Sequence, residues 1–385
     1  MIKVPKGFYL STASVGFKYQ HRDDLLFIRS EDYAITKGVF TQNVVKAAPV
    51  KISKERLSQK ERFKGILVNV GQANACTGKK GYEIALRSIE LVASKFHISS
   101  EDILLASTGV IGVLPKIELF DKGADELYKN KDQKDPVRAA KAIMTTDTFP
   151  KIYFKEFKGT KFLGLAKGAG MICPNMATML CFILTDAKIR GDLLEKVLKR
   201  CVDQTFNRIS VDGDTSTNDC VIVMANGKSE VELSEEEVEK VVFDCCKKLS
   251  YYIVLDGEGA TKVIRIKVKN ARSVKEAENI ARSVGTSPLV KTAFFGEDPN
   301  WGRIIAAMGK AKVDFKEEDI SLYIGDVPIW IKGNKVEGIE DVAKAIMKKS
   351  EIDVLIDMGI GDKTYEFLTC DLSYEYVKIN AEYTT

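Results

Sequence analysis

The amino-acid sequence predicts a layered α+β fold with two domains. Helical and strand-like hydrophobic patterns mix along the whole chain, without the strict β-α-β alternation of a doubly wound parallel sheet. The chain has 385 residues, of which 45% are apolar, and this is enough for a large core and more than one domain. We expect a core domain over residues 1–280 and a smaller α/β domain over residues 281–385, although no linker marks the boundary.

The elements of the first half follow from hydrophobic spacing and helix-capping residues. Apolar residues recur at helical spacing over 82–96, which predicts an amphipathic helix, and the apolar run 103–106 predicts a short buried strand. The stretch DPVRAAKAIM predicts a helix with Asp135 as its N-cap and Pro136 at its first position. The run 178–184 predicts a buried strand that begins with a threonine.

Two capping boxes indicate where helices of the second half begin. Ser234 is followed three residues later by Glu237, and Ser273 in the same way by Glu276. In such a pair each side chain bonds the other residue's backbone N–H, so both pairs predict a helix start. A longer amphipathic helix is predicted over 192–209 from its apolar spacing alone.

Three strand signals complete the predicted elements. The stretch CVIVMA at 220–225 is a continuous apolar run, and 263–269 alternates as a half-buried strand does. The segment 354–370 predicts a hairpin, with its turn near residues 359–362.

The charge, the hydrophobic runs and the cysteines of the chain limit its expected partners and cellular compartment. The net charge is +4, with no long basic run, so neither nucleic acid nor a membrane is an expected partner. No stretch approaches the roughly 18 apolar residues of a spanning helix, and the N-terminal stretch lacks the apolar region of a signal peptide. The eight cysteines show no CxxC spacing, which is typical of reduced, mostly buried thiols in a cytoplasmic protein.

The chain has only two histidines, His21 and His97. Neither lies near a cysteine or a cluster of carboxylates in the sequence, so a histidine-based zinc site and a Ser-His-Asp triad are not expected. We expect no metal. If the protein is an enzyme, its general base is expected to be a group other than imidazole.

Two glycine clusters fail as phosphate-binding loops. In GQANACTGKKG, six residues separate Gly71 from Gly78 where a P-loop has four, and Lys79 is followed by another lysine. GAGMIC lacks the third glycine of a dinucleotide fingerprint and precedes a strand rather than a helix. Neither cluster predicts a nucleotide site.

Several polar residues at loop edges are candidates for chemistry, and each has an ordinary structural alternative. Thr108 and Gly109 follow a predicted strand, where glycine lets a reacting carbonyl approach, but a strand-end turn has the same sequence. Glu258 lies between two glycines, as a solvated turn carboxylate would. The ordinary alternative for Lys167 is a charged side chain at the surface, and for Thr178 it is the first residue of a strand.

Taken together, these segments resemble the ornithine acetyltransferase (glutamate N-acetyltransferase) family of arginine biosynthesis. The likeness spans nearly the whole chain, and its departures are small; one is Gly71-Gln72 before ANACTG. The stretches that carry it are FTQNVVKAAPV at 40–50, NACTG at 74–78, ASTGVIG at 106–112, AIMTTDTFPK at 142–151, AKGAGMICPNMATML at 166–180, SVDGDTSTND at 210–219, DGEGATK at 256–262, FGEDPNWGRI at 295–304 and YVKINAEYTT at 376–385.

The resemblance implies a self-processing enzyme of the N-terminal-nucleophile type with a layered αββα core. It implies cleavage between Ala177 and Thr178, which yields an alpha chain 1–177 and a beta chain 178–385. The two chains are expected to stay associated and to pair into an α2β2 heterotetramer. The C-terminal tail is expected to return to the active site.

The resemblance also implies the roles of single residues. Thr178 is expected to be the nucleophile, and Thr108 and Gly109 to form the oxyanion hole. For the substrate contact in the TTDT segment, the resemblance implies Thr145, with the neighbouring Thr146 as the alternative residue. The positions expected to contact substrate are Thr145, Lys167, Thr178, Glu258, Asn380 and Thr385.

The chemistry explains why a threonine at a new chain start suits this reaction. A threonine hydroxyl needs a base to become a nucleophile. Cleavage before Thr178 creates an α-amine on the same residue, and such an amine titrates near pH 7.7–8, so part of it is neutral at cellular pH. No bound cofactor is expected. Acetyl-CoA remains open as a second acetyl donor.

Two other functions remain open at the level of sequence. A self-processing aminopeptidase or amidase would use the same Thr178 chemistry, with water instead of an amine resolving the acyl-enzyme. A non-catalytic binding protein for small molecules would need Thr178 only as a strand residue. The resemblance favours the transferase, from N-acetylornithine to glutamate.

Overall fold

The computed structural model describes residues 2–173 and 179–382. Helices and strands mix throughout this part of the chain, which confirms the predicted α+β class. None of the described helices is both long enough and apolar enough to span a membrane. The eight cysteines are free thiols and six of them are buried, as predicted.

The chain divides into two compact units. The first comprises the described residues up to Asn207 together with Asp214–Ile253, and the second comprises Arg208–Gly213 and the described residues from Val254 onward. The second unit therefore begins before the predicted boundary at residue 280. The reason is that the strand Val263–Ala271 pairs with two later strands and so belongs with them.

One sheet runs through the first unit, in the order β4-β3-β2-β9-β7-β6-β5, with β1 paired to β2. These strands and the short β8 of the second unit are β1 (Phe8–Ala13), β2 (Leu25–Phe40), β3 (Arg62–Gln72), β4 (Ile103–Val110), β5 (Lys151–Phe157), β6 (Thr160–Lys167), β7 (Leu180–Thr185), β8 (Ile209–Ser210) and β9 (Cys220–Ala225).

The long strand β2 folds this sheet into two layers. Its first half pairs with β1 and β3 and its second half with β9, with a register shift against β3 between Arg29 and Ala34. One buried cluster joins side chains from both parts of the sheet, such as Val68 of β3 and Phe182 of β7. The two strand layers therefore face each other across this core.

Helices cover the outer faces of both layers. Phe27 and Leu67, which point away from the inner core, pack against Ile89 of a covering helix. On the other layer, Gly164 of β6 leaves no room for a side chain, since a Cβ there would lie 2.5 Å from the sulfur of Cys245. The helices are α1 (Ala48–Gln59), α2 (Gly78–Phe96), α3 (Ile117–Lys129), α4 (Pro136–Ala142), α5 (Gly191–Gln204) and α6 (Glu235–Leu255). This order of helix, strand, strand and helix confirms the predicted αββα layering.

The second unit is built on another mixed sheet, in the order β13-β12-β11-β14-β10-β15-β8. Its strands are β10 (Val263–Ala271), β11 (Ser321–Ile324), β12 (Val327–Ile331), β13 (Asn334–Lys335), β14 (Glu351–Asp357) and β15 (Lys363–Cys370). Its helices are α7 (Val274–Gly285), α8 (Pro288–Phe295), α9 (Trp301–Gly309), α10 (Glu340–Met347) and α11 (Tyr374–Glu382).

The predicted hairpin over 354–370 is wrong. Strands β14 and β15 do follow each other in sequence, but β10 lies between them, parallel to β14 and antiparallel to β15. Because both edges of β10 are paired, it is an interior strand of the sheet. A sequence pattern of two strands joined by a glycine-containing turn does not show that another strand lies between them in the sheet.

Helix starts were predicted better than helix ends. Asp135 caps α4 by accepting the backbone N–H groups of Val137 and Arg138, and Ser234 and Glu237 form the reciprocal capping box before α6. At α7 the Ser273 half of the box is present, while the Glu276 carboxylate pairs with Arg272. The predicted helix 192–209 ends early, at Gln204, and gives way to a 3-10 turn over Phe206–Arg208.

Candidate active site

The predicted site residues are distributed over both units. Thr108, Gly109, Thr145 and Lys167 lie in the first unit, and Glu258 and Asn380 lie in the second. Ala177, Thr178 and Thr385 fall outside the described residues.

The sequence predicts Thr108 and Gly109 just after a strand. They instead lie within the last three residues of strand β4. They pair with Val70 and Gly71 of the parallel strand β3. Gly109 has φ +126°, and a Cβ there would lie 2.2 Å from the carbonyl carbon of Gly71. Only glycine fits this contact, so the backbone at Gly109 stays open on its half-exposed side.

Lys167 brings a buried positive charge to this strand end. It is the last residue of β6, its exposed fraction is 6%, and its Nζ lies 3.4 Å from Oγ1 of Thr108. Two of the predicted site residues therefore meet across the inner core. An ammonium group at this distance stabilises negative charge near Thr108.

Asp147 fixes the segment that carries Thr145. Its carboxylate accepts the Nζ of Lys151 at 2.7 Å, the N–H of Gly168 at 2.7 Å and the N–H of Thr145 at 3.0 Å. The Asp147 and Lys151 side chains have no exposed surface. One buried carboxylate thus ties the TTDT segment to the end of β6, beside Lys167.

The surroundings of Asp147 keep it charged. Burial acts to raise the pKa of its carboxyl, but the positive charges of Lys167 and Lys151 and the Gly168 amide together lower that pKa to about 2. Asp147 is therefore a carboxylate at any physiological pH. Asp147 and Lys151 are not among the predicted site residues, although both lie in the AIMTTDTFPK stretch at 142–151.

A second buried carboxyl, Asp219, lies directly before β9. Its Oδ2 has no hydrogen-bond partner among the residues that the structure describes. Burial raises the pKa of this carboxyl well above its usual range, against the backbone of Met179 and the charge of Lys167, which both favour the charged form. The pKa of Asp147 is thus lowered and that of Asp219 is raised, although both carboxyls lie near Lys167.

The loop before Asp219 is bound to the site strand by Asn218. The Asn218 side chain donates to the carbonyl oxygens of Ala73 and Ser107 at 2.7 and 2.9 Å. Nearby, the Thr215 hydroxyl donates to the Cys173 carbonyl at 3.1 Å, and Asn43 donates to the Thr215 carbonyl at 2.8 Å. The stretches FTQN, ASTG, GAGMIC and SVDGDTSTND, far apart in sequence, therefore converge in the first unit.

In the second unit, Glu258 and Asn380 contact each other. Asn380 of α11 donates its side-chain amide to Oε2 of Glu258 at 2.8 Å, and Glu258 is buried. Asp371 holds the same loop by accepting the N–H groups of Thr261 and Lys262 at 2.8 and 2.9 Å. A Cβ on Gly259, at φ +66°, would lie 2.4 Å from the Tyr376 nitrogen, so this loop packs closely on α11.

Comparison with known proteins shows the family of this chain. A sequence model of the ArgJ family matches residues 9–385. The chain is 47% identical to the arginine biosynthesis bifunctional protein ArgJ of Desulfotalea psychrophila, over 98% of this chain and 99% of that protein. It is 43% identical to the glutamate N-acetyltransferase of Methanocaldococcus jannaschii, over 100% of this chain and 98% of that protein.

A solved structure gives the same assignment. The crystal structure of the arginine biosynthesis bifunctional protein ArgJ of Bacillus halodurans is 39% identical, covers 54% of this chain and 100% of that chain, and superposes with a TM-score of 0.51. The α+β fold and these relatives define an acyltransferase. The chain belongs to the ArgJ family.

Proposed function

We propose that the protein transfers the acetyl group of N2-acetyl-L-ornithine to L-glutamate in arginine biosynthesis. The products are ornithine and N-acetylglutamate. The observation that carries this proposal is the meeting of Lys167 and Thr108 at the end of β4 in a chain whose relatives are named acetyltransferases and arginine biosynthesis proteins.

The proposed enzyme is made by self-cleavage between Ala177 and Thr178. Residues 178–385 make up 208 of the 385 residues, or 54% of the chain. The solved Bacillus halodurans chain is covered over its whole length and matches a share of this chain of equal size, 54%. A chain of that length is what cleavage at this bond produces, and this agreement supports the proposal.

Turnover proceeds in two steps through an acetyl-threonine ester. The Thr178 α-amine takes the proton of its own hydroxyl, and the hydroxyl oxygen attacks the acetyl carbonyl. The donors at Thr108 and Gly109 stabilise the oxyanion, and one such donor contributes about 3 kcal/mol. The C–N bond to ornithine breaks and the amine leaves with the proton. The amine of glutamate then attacks the acetyl carbon, the ester C–O bond breaks, and the proton lost by that amine returns to the Thr178 oxygen.

The remaining predicted residues bind substrate. Lys167 pairs with the negative charge of the oxyanion or of the α-carboxylate that both substrates carry. Glu258, held by Asn380, accepts the side-chain ammonium of ornithine, and Thr145 and Thr385 complete the contacts. No cofactor takes part. The alpha and beta chains remain together, as an α2β2 heterotetramer in the cytoplasm.

Acetyl-CoA is a second donor to test. Several relatives are named bifunctional, which favours a second activity of the same site. The corresponding reaction is direct acetylation of glutamate by acetyl-CoA through the same acetyl-threonine.

The transfer assay distinguishes the transferase from a hydrolase. Purified protein is mixed with N-acetylornithine and glutamate, and N-acetylglutamate and free acetate are both measured. We expect N-acetylglutamate to form at the rate at which ornithine is released. Acetate release that does not depend on glutamate would instead indicate the amidase or aminopeptidase alternative.

Substitution of the nucleophile provides the matched pair of variants. Thr178→Ala removes the hydroxyl and is expected to give an uncleaved, inactive chain, whereas Thr178→Ser keeps a hydroxyl and is expected to cleave and transfer. Transfer by the alanine variant would refute the role of Thr178.

A further inference from the structure

Recognition of the ornithine ammonium depends on where the Glu258 carboxylate is held within the second unit. Glu258 is the second residue of a β-turn, which is closed by the Ala260 N–H donating to the Gly257 carbonyl at 2.8 Å. Gly259, the third residue, has φ +66°, and a type II turn requires positive φ at this position. The groups that hold this turn therefore determine where the carboxylate lies.

Asp371 holds the backbone that follows the turn. Its Oδ1 accepts the N–H groups of both Thr261 and Lys262, at 2.8 and 2.9 Å, and its Oδ2 accepts the Thr261 hydroxyl at 2.5 Å. Asp371 is buried, with an exposed fraction of 2%. Because a buried donor that loses its acceptor is strongly destabilising, these three hydrogen bonds restrict the end of the Glu258 loop.

Ser373 joins the same turn to the helix that carries Asn380. Its hydroxyl donates to the Gly259 carbonyl at 2.5 Å and accepts the Glu375 N–H at 3.2 Å, at the start of α11. About two helical turns further along α11, Asn380 donates to Glu258. The turn and the helix are therefore connected at two points, one of which is the Glu258 carboxylate itself.

Asp371 acts on this loop through hydrogen-bond geometry. The Lys262 ammonium lies 3.6 Å from a carboxylate oxygen of Glu297, while Asp371 bonds the backbone N–H of Lys262. An asparagine at position 371 would keep one oxygen to accept both N–H groups, and its NH2 group could donate to the Thr261 hydroxyl oxygen. The amide should therefore replace the carboxylate here, whereas alanine should not.

We propose that Asp371 is a positioning residue that sets the preference for a substrate with a side-chain ammonium. Together with Ser373 it fixes the turn that presents Glu258, so the carboxylate is already in place when the substrate binds. A misplacement of about 1 Å can lower a rate by about 100-fold. A loosened turn should therefore weaken recognition of the ammonium and leave the acetyl chemistry unchanged. This inference rests on the proposed function, because it assumes that Glu258 accepts the ornithine ammonium.

The test compares two acetyl donors that differ in the ammonium group. N2-acetyl-L-ornithine and N2-acetyl-L-norvaline have the same carbon chain, but the norvaline side chain ends in a methyl group. For each donor, kcat/KM is measured with glutamate as the acceptor and is expressed per mole of cleaved enzyme. The proteins are the wild type, Asp371→Ala and Asp371→Asn.

Asp357→Ala is the matched control in the same unit. Asp357 accepts the Gly359 N–H at 3.1 Å and the Asn270 side-chain amide at 2.8 Å, so it also holds a loop by hydrogen bonds. It pairs with Lys269 near the end of β10, whereas the Glu258 loop leads into the beginning of that strand. Its substitution therefore tests a comparable loss of structure away from Glu258.

We expect Asp371→Ala to lower kcat/KM for N-acetylornithine by at least about 10-fold, mainly through a higher KM, while the value for N-acetylnorvaline changes by less than about three-fold. Asp371→Asn and Asp357→Ala should keep the wild-type ratio of the two values within about three-fold. An unchanged ratio in Asp371→Ala, an equal loss for both donors, or the same selective loss in Asp357→Ala would overturn the inference.

Ser373→Ala decides the question if Asp371→Ala does not fold. It removes the hydrogen bond to the Gly259 carbonyl, so a selective loss for N-acetylornithine would support the inference and an unchanged ratio would overturn it. A wild type that transfers no acetyl group, or that uses both donors equally well, would instead contradict the proposed function.

Discussion

Lys167 shows how single residues of this site depend on one another. It is buried at the end of β6, close to Thr108, with Asp147 and Asp219 as its acidic neighbours. A buried lysine keeps its charge only when such partners offset its desolvation. The ammonium group that we assign to substrate or oxyanion binding therefore lies near two acidic residues to which we assign no substrate contact.

Removal of the Asp147 charge is expected to destabilise the first unit. In Asp147→Asn, Lys151 and Lys167 lose their shared counter-ion, and a buried pair that loses one partner costs about 3 kcal/mol or more. We expect the melting temperature at pH 7 to fall by roughly 5–10 °C. The measurement is best made in the Thr178→Ala background, so that each variant is a single chain.

The pH dependence of this loss has a definite sign. The pKa of Asp147 is lowered from 3.8 to about 2 by folding, so its stabilisation is complete above pH 4 and is lost as the pH falls through 2. The melting temperatures of Asp147→Asn and its parent should therefore converge in acid. The control Asp192→Asn breaks an exposed pair with Arg190 and should change little at any pH. A gap that stays constant from pH 7 to pH 2 would contradict the assigned charge.

The sequence predicted only part of the site at this scale. Thr108, Gly109, Lys167 and Glu258 are predicted only through the family resemblance of the stretches in which they lie, because each of them also fits an ordinary turn, strand or surface position. Asp147, Lys151 and Asp219 do not stand out, since most acidic and basic residues are exposed. Their burial depends on β5, β6 and β9 meeting in three dimensions, which no local pattern reports.

At the scale of elements, the close pairing of β3 and β4 shapes the predicted oxyanion hole. Gly71 and Gly109 face each other at positive φ, so the two backbones approach more closely than side chains would allow. Gly109 is therefore required by the close packing of these two strands.

Gly109→Ala is expected to abolish transfer. The new methyl group would meet the Gly71 carbonyl carbon at 2.2 Å, so one strand must move and carry the oxyanion donors with it. We expect kcat/KM for N-acetylornithine to fall by at least about 100-fold.

Gly112→Ala provides the comparison for this substitution. Gly112 also has positive φ, but a Cβ there meets no atom within 4 Å, so only the backbone cost of about 1–2 kcal/mol applies. Near-normal transfer by Gly109→Ala, or an equal loss in both variants, would show that the close approach of β3 and β4 does not matter for catalysis.

Element prediction succeeded where the signal is local and failed where pairing is remote. The caps at Asp135 and Ser234 depend on residues within one helical turn, and both were predicted. The hairpin over 354–370 failed because β10, about ninety residues earlier in the chain, inserts between its two strands. The same long-range pairing moved the boundary between the units to residue 254.

At the scale of the whole molecule, the predicted substrate contacts are divided between two compact units. The first unit holds Thr108, Thr145 and Lys167, and the second holds Glu258 and Asn380. The fold class could be predicted because it depends only on the mixture of elements along the chain. Thr178 lies outside the described residues, so its proposed role as nucleophile and new chain start has to be tested by experiment.

The most direct test is the denatured mass of the wild-type protein before and after incubation with N-acetylornithine in the absence of glutamate. We predict two chains, produced by cleavage of the bond between residues 177 and 178. Only the chain 178–385 should gain the mass of one acetyl group, and it should lose that mass again when glutamate is added. A single intact chain of 42.8 kDa that still transfers acetyl groups, or an active beta chain that never carries the acetyl group, would contradict the account.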